Sequence, residues 1–436
     1  MRLRFGNAAR ETFRSLHGRN FRLFFTGQII SQVGNWLTLV AQTLLVLKLT
    51  HSGVAVGALT ACQFAPVLVL GPWAGLVADR SDKRKLLLIE QAVAMAQSFA
   101  LAALAFTGHP PVWSIFAVAS VGGLTTAFDN PARRAFVVEL VPEDDVQNAV
   151  SLNSALMTSS RIFGPAIAGL LIATSGFGWC FLLDGLSYVA VLVALWRIDP
   201  STVRSSPAVE RGRGQVRAGL RYVRQVPALW VSLVMMAIVG TLTFNFNVVF
   251  PLFVTRTLHG HVWEFTLLYS VTSVGSLLGA LSTARRHRVE VRDVVRATVL
   301  FGVAMSVLAV APTLAFAYPL AIGVGFTSIL FMTTTTAIVQ LRADPVMRGR
   351  VLALQAMVFL GSTPIGGPIL GAICDAFGAR VGVLVGAGAA FAAAGWGWSV
   401  AHRRVDHAFE GSPGAPTSEV LGEDLDGAVG SPVGAV

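Results

Sequence analysis

Long apolar stretches broken by short polar ones run through this chain, and each stretch is long enough to cross a bilayer. A helix needs about 20 residues to span a hydrocarbon layer of roughly 30 Å. Runs of that length fall at 21–47, 53–79, 86–107, 112–132, 149–174, 178–198, 226–255, 263–284, 294–312, 315–341, 351–377 and 379–401. They predict twelve membrane helices. The breaks hold turn residues or charge: His51-Ser52-Gly53, Gly108-His109-Pro110-Pro111, Gly176-Phe177-Gly178 and Gly260, besides the cation clusters. In the first run Gln28, Ser31, Gln32, Asn35, Thr38 and Gln42 fall within about a third of the circumference at 100° per residue, with Trp36 beside them. Such a stripe of uncharged amides predicts either a water-filled cavity or hydrogen bonds to a neighbouring helix.

Composition agrees with the pattern. With 54% hydrophobic and 13% charged residues, the chain lies outside soluble usage. A net charge of +10 would suit nucleic acid if gathered on one face, but the cations come in short clusters between apolar runs, and no nucleic-acid partner is expected. Arg80 to Lys85, Arg133 with Arg134, Arg197 to Arg224, Arg285 to Arg296, Arg342 to Arg350 and Arg403 with Arg404 fall on one side. Lys48, Arg256 and Arg380 fall on the other. The asymmetry predicts a multi-pass protein of the inner (plasma) membrane with both termini cytoplasmic. Arg2, Arg4 and Arg10 lead into the first run with no small-residue cleavage site, so that span is read as uncleaved.

Cys62, Cys180 and Cys374 are widely separated and signal neither a disulfide framework nor a metal site, and neither a metal nor a cofactor is expected. Lys48, Lys83 and Lys85 are the only lysines and none follows a glycine, so a phosphate-binding Walker loop is absent and ATP is not the direct driver. No catalytic signature appears, and an enzyme is not expected.

The expected organisation is a cytoplasmic N-terminal segment at 1–20, a six-helix bundle at 21–198, a basic cytoplasmic linker at 199–225, a second six-helix bundle at 226–402 and a disordered acidic tail at 403–436. The halves repeat each other. Gly71-x-x-x-Gly75 recurs as Gly275-x-x-x-Gly279, with cations following at Arg285, Arg286 and Arg288, and Gly164-Pro165, Gly169 and Gly176 recur as Gly367-Pro368, Gly371 and Gly378.

The segment Gly75-x-x-x-Asp79-Arg80, followed by Lys83 and Arg84, resembles the loop between the second and third helices of the major facilitator superfamily, with Asp82 where that pattern has a second glycine. From Asn20 to about Arg403 the chain is similar to the drug-exporter branch of that family, which includes enterobactin exporters and macrolide-efflux proteins. Asn20-Phe21-Arg22-Leu23-Phe24-Phe25, Asp129-Asn130-Pro131-Ala132-Arg133-Arg134 and Arg348-Gly349-Arg350-Val351 carry the likeness. Ser160-Arg161-Ile162-Phe163-Gly164-Pro165-Ala166-Ile167-Ala168-Gly169 is similar to the antiporter motif, with Ser160 and Ala168 in place of two glycines; Arg161, Gly164, Pro165 and Gly169 are its candidate residues here. The resemblance implies an all-α integral membrane fold of two pseudo-symmetric six-helix bundles and export of a bulky amphipathic molecule, such as a siderophore, macrolide or other drug-like metabolite. It implies alternating access and proton antiport. Thr283 and Ala284 stand where the second-half copy of the loop motif would carry Asp-Arg, and no arginine is expected at mid-depth of the fourth helix, where related proton-coupled exporters have one.

The gating candidates are Gly75, Asp79, Arg80, Arg84, Arg133 and Arg134, with Asp79 expected to pair with Arg133 or Arg134 or to cap the eleventh helix near Arg350. Gln28, Gln32, Asn35 and Trp36 are expected in the cavity. In this fold it is lined by helices one, four, seven and ten, so Thr241, Asn245, Thr333 and Thr336 are expected there too. Asp184 and Asp129 are the proton-coupling candidates; Glu90, Arg161 and Asp375 are the other ionisable residues within spans. The partners expected are a small-molecule substrate, protons and the lipid bilayer, with the protein a monomer. An importer or uniporter of a small nutrient, or a non-transporting receptor, are the alternatives.

Overall fold

The computed structural model describes residues 11–204, 215–283 and 289–410. Twelve long helices form it: α1 Arg19–Thr50, α2 Gly53–Arg80, α3 Lys83–Phe106, α4 Val112–Glu139, α5 Val146–Ser175, α6 Phe177–Arg197, α7 Pro227–Thr257, α8 Val262–Thr283, α9 Val291–Ala309, α10 Leu314–Arg342, α11 Pro345–Phe377 and α12 Ala379–Glu410. Eleven are apolar and long enough to span a membrane by composition alone. The twelfth, α9, opens with Arg292, Asp293 and Arg296 at its capped start, and its apolar part begins only after them.

Local chemistry sets the ends. Ser52 caps α2 by accepting from the Ala55 amide at 3.3 Å, and Asp82 caps α3 by accepting from Arg84 at 3.0 Å and Lys85 at 3.2 Å. Asp82 thus has a structural purpose that the glycine of the family pattern could not serve. Gly176 and Gly378, at φ +90° and +88°, close α5 and α11 in a backbone region that side chains disfavour.

The neighbours repeat in order. In the first half α1 packs on α5 and α6, α2 on α4, and α3 on α4 and α6; in the second α7 packs on α11 and α12, α8 on α10, and α9 on α10 and α12. Across the seam α2 meets α11 and α5 meets α8. Each pair maps to its counterpart six helices on, which is the pseudo-twofold arrangement expected of parallel repeats. We call the end of the bundle that bears the cation-rich connections inner and the opposite end outer.

Several elements differ from expectation. α7 is broken at Thr243–Asn245, ahead of Pro251, and its last turn, Phe253–Thr257, is a π-helix. The linker expected at 199–225 holds a short helix, Gln215–Gln225, whose Val223 is buried and whose Gly219 lies under Leu354 of α11. Residues 205–214 of that linker, Arg285, Arg286 and Arg288 lie outside the described residues. Helix α12 continues to Glu410, into the segment expected as tail, and 411–436 are outside the described residues.

Candidate functional site

A cavity of about 520 Å³ lies at mid-depth between the halves, within the range of small-molecule sites. The whole amide stripe of α1 lines it, from Gln28 to Gln42, together with Trp36. Within the stripe Gln32 donates to Gln28 at 3.2 Å, and neighbouring helices reach it through Tyr188 of α6, donating to Asn35 at 2.8 Å, and Gln63 of α2, donating to Gln42 at 2.8 Å. The stripe thus both lines the cavity and bonds to α2 and α6.

Charge enters from the first half. On α4, Arg133 pairs with Asp129 one turn away, and the pair is extended by Gln91, donating to Asp129 at 3.0 Å, and by Arg133 donating to Gln28 at 3.3 Å. Glu90 of α3 lines the same cavity within electrostatic reach of that guanidinium; it is 6% exposed, and neither carboxylate oxygen has a hydrogen-bond partner among the described residues. Asp184 is 1% exposed and accepts from Thr38 at 2.6 Å, Ser98 at 2.7 Å and Ser187 at 3.5 Å, so one carboxylate ties α1 and α3 to α6. Arg161 reaches the cavity from the middle of α5, its guanidinium 5.9 Å from the centre of the Trp36 ring.

The second half contributes a different wall. Phe244, Phe246 and Asn247 of α7, Tyr269 and Ser273 of α8, Ser328 and Met332 of α10, and Phe359 of α11 face the cavity. Phe244 gathers Phe301 and Phe359, each at 5.1 Å between ring centres, and Trp36 meets Tyr269 across the seam at 5.6 Å.

Four of the expected cavity residues lie elsewhere. Ahead of the break in α7 the Thr241 hydroxyl donates back to the Ala237 carbonyl at 2.6 Å, while the Thr241 carbonyl and the Asn245 amide lie beside Gly366 of α11, with Asn245 donating to that carbonyl at 2.7 Å. Thr333 and Thr336 are not among the lining residues; they bond back to Ile329 at 2.8 Å and Met332 at 2.9 Å on their own helix, and Thr336 also accepts from Gln355 of α11 at 3.1 Å.

Of the gating candidates, Arg133 lies in the cavity and pairs with Asp129, so α4 does present an arginine there. Arg84 donates to the carbonyls of Leu195 at 2.7 Å and Trp196 at 2.9 Å, and Lys83 pairs with Glu139 at 2.7 Å. Gly75 is buried and Asp79 half-buried in the last turns of α2, while Arg80 and Arg134 are exposed. In the antiporter-like motif, a Cβ on Gly164 would strike Trp36, and one on Gly169 would strike Thr266 of α8. Small residues there let α5 lie against both halves.

The outer end is closed by residues whose partnership sequence alone did not suggest. Asp375, at the end of α11, accepts from the Gly53 amide at 2.7 Å, the Val54 amide at 2.9 Å and the Ser52 hydroxyl at 2.9 Å. Arg256 of α7 pairs with the same carboxylate at 2.7 Å and donates to the His51 carbonyl. An acid of the second half thereby caps a helix of the first. Beneath it the Gly53 and Gly371 backbones touch, and a side chain on either would collide with the other.

Comparison with known proteins agrees with this geometry. The model of the family described as Transmembrane secretion effector matches residues 10–429. The chain is 24% identical to the staphyloferrin A transporter of Staphylococcus aureus, over 82% of this chain and 90% of that one. It is 24% identical to macrolide efflux protein A of Streptococcus pyogenes, covering 83% and 90%, and 26% identical to the multidrug efflux pump Tap of Mycolicibacterium fortuitum, covering 82% and 89%. In fold it is similar to a bacterial homologue of the lysosomal transporter Spinster, with TM-score 0.71, 14% identity, and 89% and 97% of the two chains covered. The chain belongs to the Transmembrane secretion effector family of the major facilitator superfamily, multi-pass membrane transporters of small molecules rather than enzymes.

Proposed function

We propose that this protein is a secondary active exporter of a bulky amphipathic small molecule, working by alternating access and driven by proton antiport. The observation that carries the reading is the cavity at mid-depth, built from both halves and roofed at the outer end by Asp375, Arg256 and the Gly53–Gly371 contact. A site between two pseudo-symmetric bundles, closed on one face, is what rocking of one half against the other requires. Its polar wall and aromatic wall suit an amphipathic solute better than a small ion. Asp184 and Asp129 are the proton carriers in this reading. Gly75, Asp79, Arg80, Arg84 and Arg134 work at the inner gate, and Arg161, Gly164, Pro165 and Gly169 let α5 flex against the seam. The protein acts as a monomer in the inner (plasma) membrane, with both termini in the cytoplasm.

The test is accumulation of erythromycin and of staphyloferrin A in cells lacking their own pumps, with and without a protonophore. Expression lowers accumulation of at least one, and the protonophore restores it. Accumulation that rises on expression supports an importer instead; efflux indifferent to the protonophore removes proton antiport. Asp79→Asn abolishes efflux while the protein still reaches the membrane, and normal efflux by that variant ends its gating role.

A further inference from the structure

Of the two guanidinium groups that line the cavity, Arg161 is the one left open. Asp129 pairs with Arg133, Glu90 lies within electrostatic reach of it, and Asp184 is held by three hydroxyl groups. Arg161 has no hydrogen bond or ion pair among the described residues, and its side chain is exposed where it lines the cavity. A guanidinium stays charged in any protein environment and donates through a planar fork that matches a carboxylate edge to edge. One face of this fork lies toward the Trp36 ring, and Trp36 in turn packs on Tyr269 of the other half. Exposed to the cavity and unpaired, this guanidinium is free to meet an anionic group that enters.

We infer that Arg161, Trp36 and Tyr269 form a subsite for the carboxylate of an acidic amphipathic substrate. The carboxylate meets the guanidinium fork, any planar group beside it stacks near Trp36, and the apolar body lies against Phe244 and Phe359. The two ends of the cavity then have opposite character. The end around Arg133 already holds its carboxylates, whereas the end around Arg161 lacks one. Because Trp36 and Tyr269 come from different halves, a ligand seated there touches both, as a transported solute must.

This inference rests on the transport reading, and its test does not use transport. Full-length protein in lipid nanodiscs is titrated by calorimetry with three probes of one shape: 2-naphthylacetate, 2-naphthylethanol and 2-naphthylethylamine. The acid binds at least about tenfold tighter than the amine, and Arg161→Gln removes at least about tenfold of that affinity while leaving the alcohol unchanged; Arg161→Lys keeps part of it, retaining charge without the fork. Thermal unfolding of each variant checks that it is folded. An acid that binds no better than the amine, or that binds a folded Arg161→Gln as tightly as wild type, overturns the subsite. Wild type that binds the acid selectively yet exports nothing overturns the transport reading and leaves the subsite standing.

Discussion

The two walls of the cavity are made of different chemistry. The first half brings every carboxylate and guanidinium that lines it: Glu90, Asp129, Arg133, Arg161 and Asp184. The second brings none of these, and lines its side with rings, hydroxyls and the Asn247 amide. At the outer seam the roles reverse, for there the second half supplies Asp375 and Arg256 while the first offers the backbone donors of Gly53 and Val54. Pseudo-symmetric halves share a backbone plan without sharing a task. Charged side chains are concentrated in one bundle and aromatic contact in the other, and the seam is where they trade polarity.

The division can be broken most severely at its charged centre. Arg133→Gln leaves Asp129 without its cation, which costs on the order of 3 kcal/mol; a lowered unfolding temperature in detergent and loss of efflux would register it, and an unaltered variant would mean the pair is not needed. Next comes the seam. Asp375→Asn removes the charge from the cap of α2 and from Arg256, loosening closure by about 1–2 kcal/mol; a cysteine placed at Ser52 becomes more reactive to a membrane-impermeant thiol reagent, and unchanged labelling counts against a latch.

Asp184→Asn keeps the shape of its hydroxyl cradle and takes away a titrating group. If Asp184 carries the proton, efflux of the variant no longer varies with external pH; a profile like wild type shifts that role to Asp129. The smallest effect belongs to the aromatic wall, where Phe359→Leu trims a ring from a cluster and weakens substrate affinity by about 1 kcal/mol with maximal rate kept. A fall in maximal rate instead would mean that the second half does more than contact substrate.

What was legible in the sequence follows from continuity. In α1 the helix is unbroken, so 100° per residue carried Gln28, Gln32, Asn35 and Trp36 to one face, and the structure has them there. In α7 the same arithmetic failed, because the helix breaks at Thr243–Asn245, and Phe244, Phe246 and Asn247 line the cavity where Thr241 and Asn245 do not. The threonines of α10 looked like a polar lining but satisfy their own backbone carbonyls. Arg133 reads as an end-of-helix cation beside Pro131, yet it reaches inward to Gln28.

The glycine repeat was only half legible. Gly275 and Gly279 press on Ile322, Phe326 and Ile329 of α10, whereas Gly71, their counterpart in the first half, has open space beside it. Asp375 with Ser52, Gly53 and Arg256 leaves no periodic signal at all, since its members are brought together only when the halves assemble.

Helix α11 is secured at both extremities by different parties. At its start the Asp344 amide donates to the Tyr222 hydroxyl of the short linker helix at 2.9 Å, and at its finish Asp375 grips the first turn of α2. Between those anchors Pro364 and Pro368 remove two rungs of the backbone ladder. A rod fastened at each end and weakened in the middle gives at the middle first. The short linker helix and the outer seam are therefore joined mechanically through α11, with the two prolines as the compliant stretch between them.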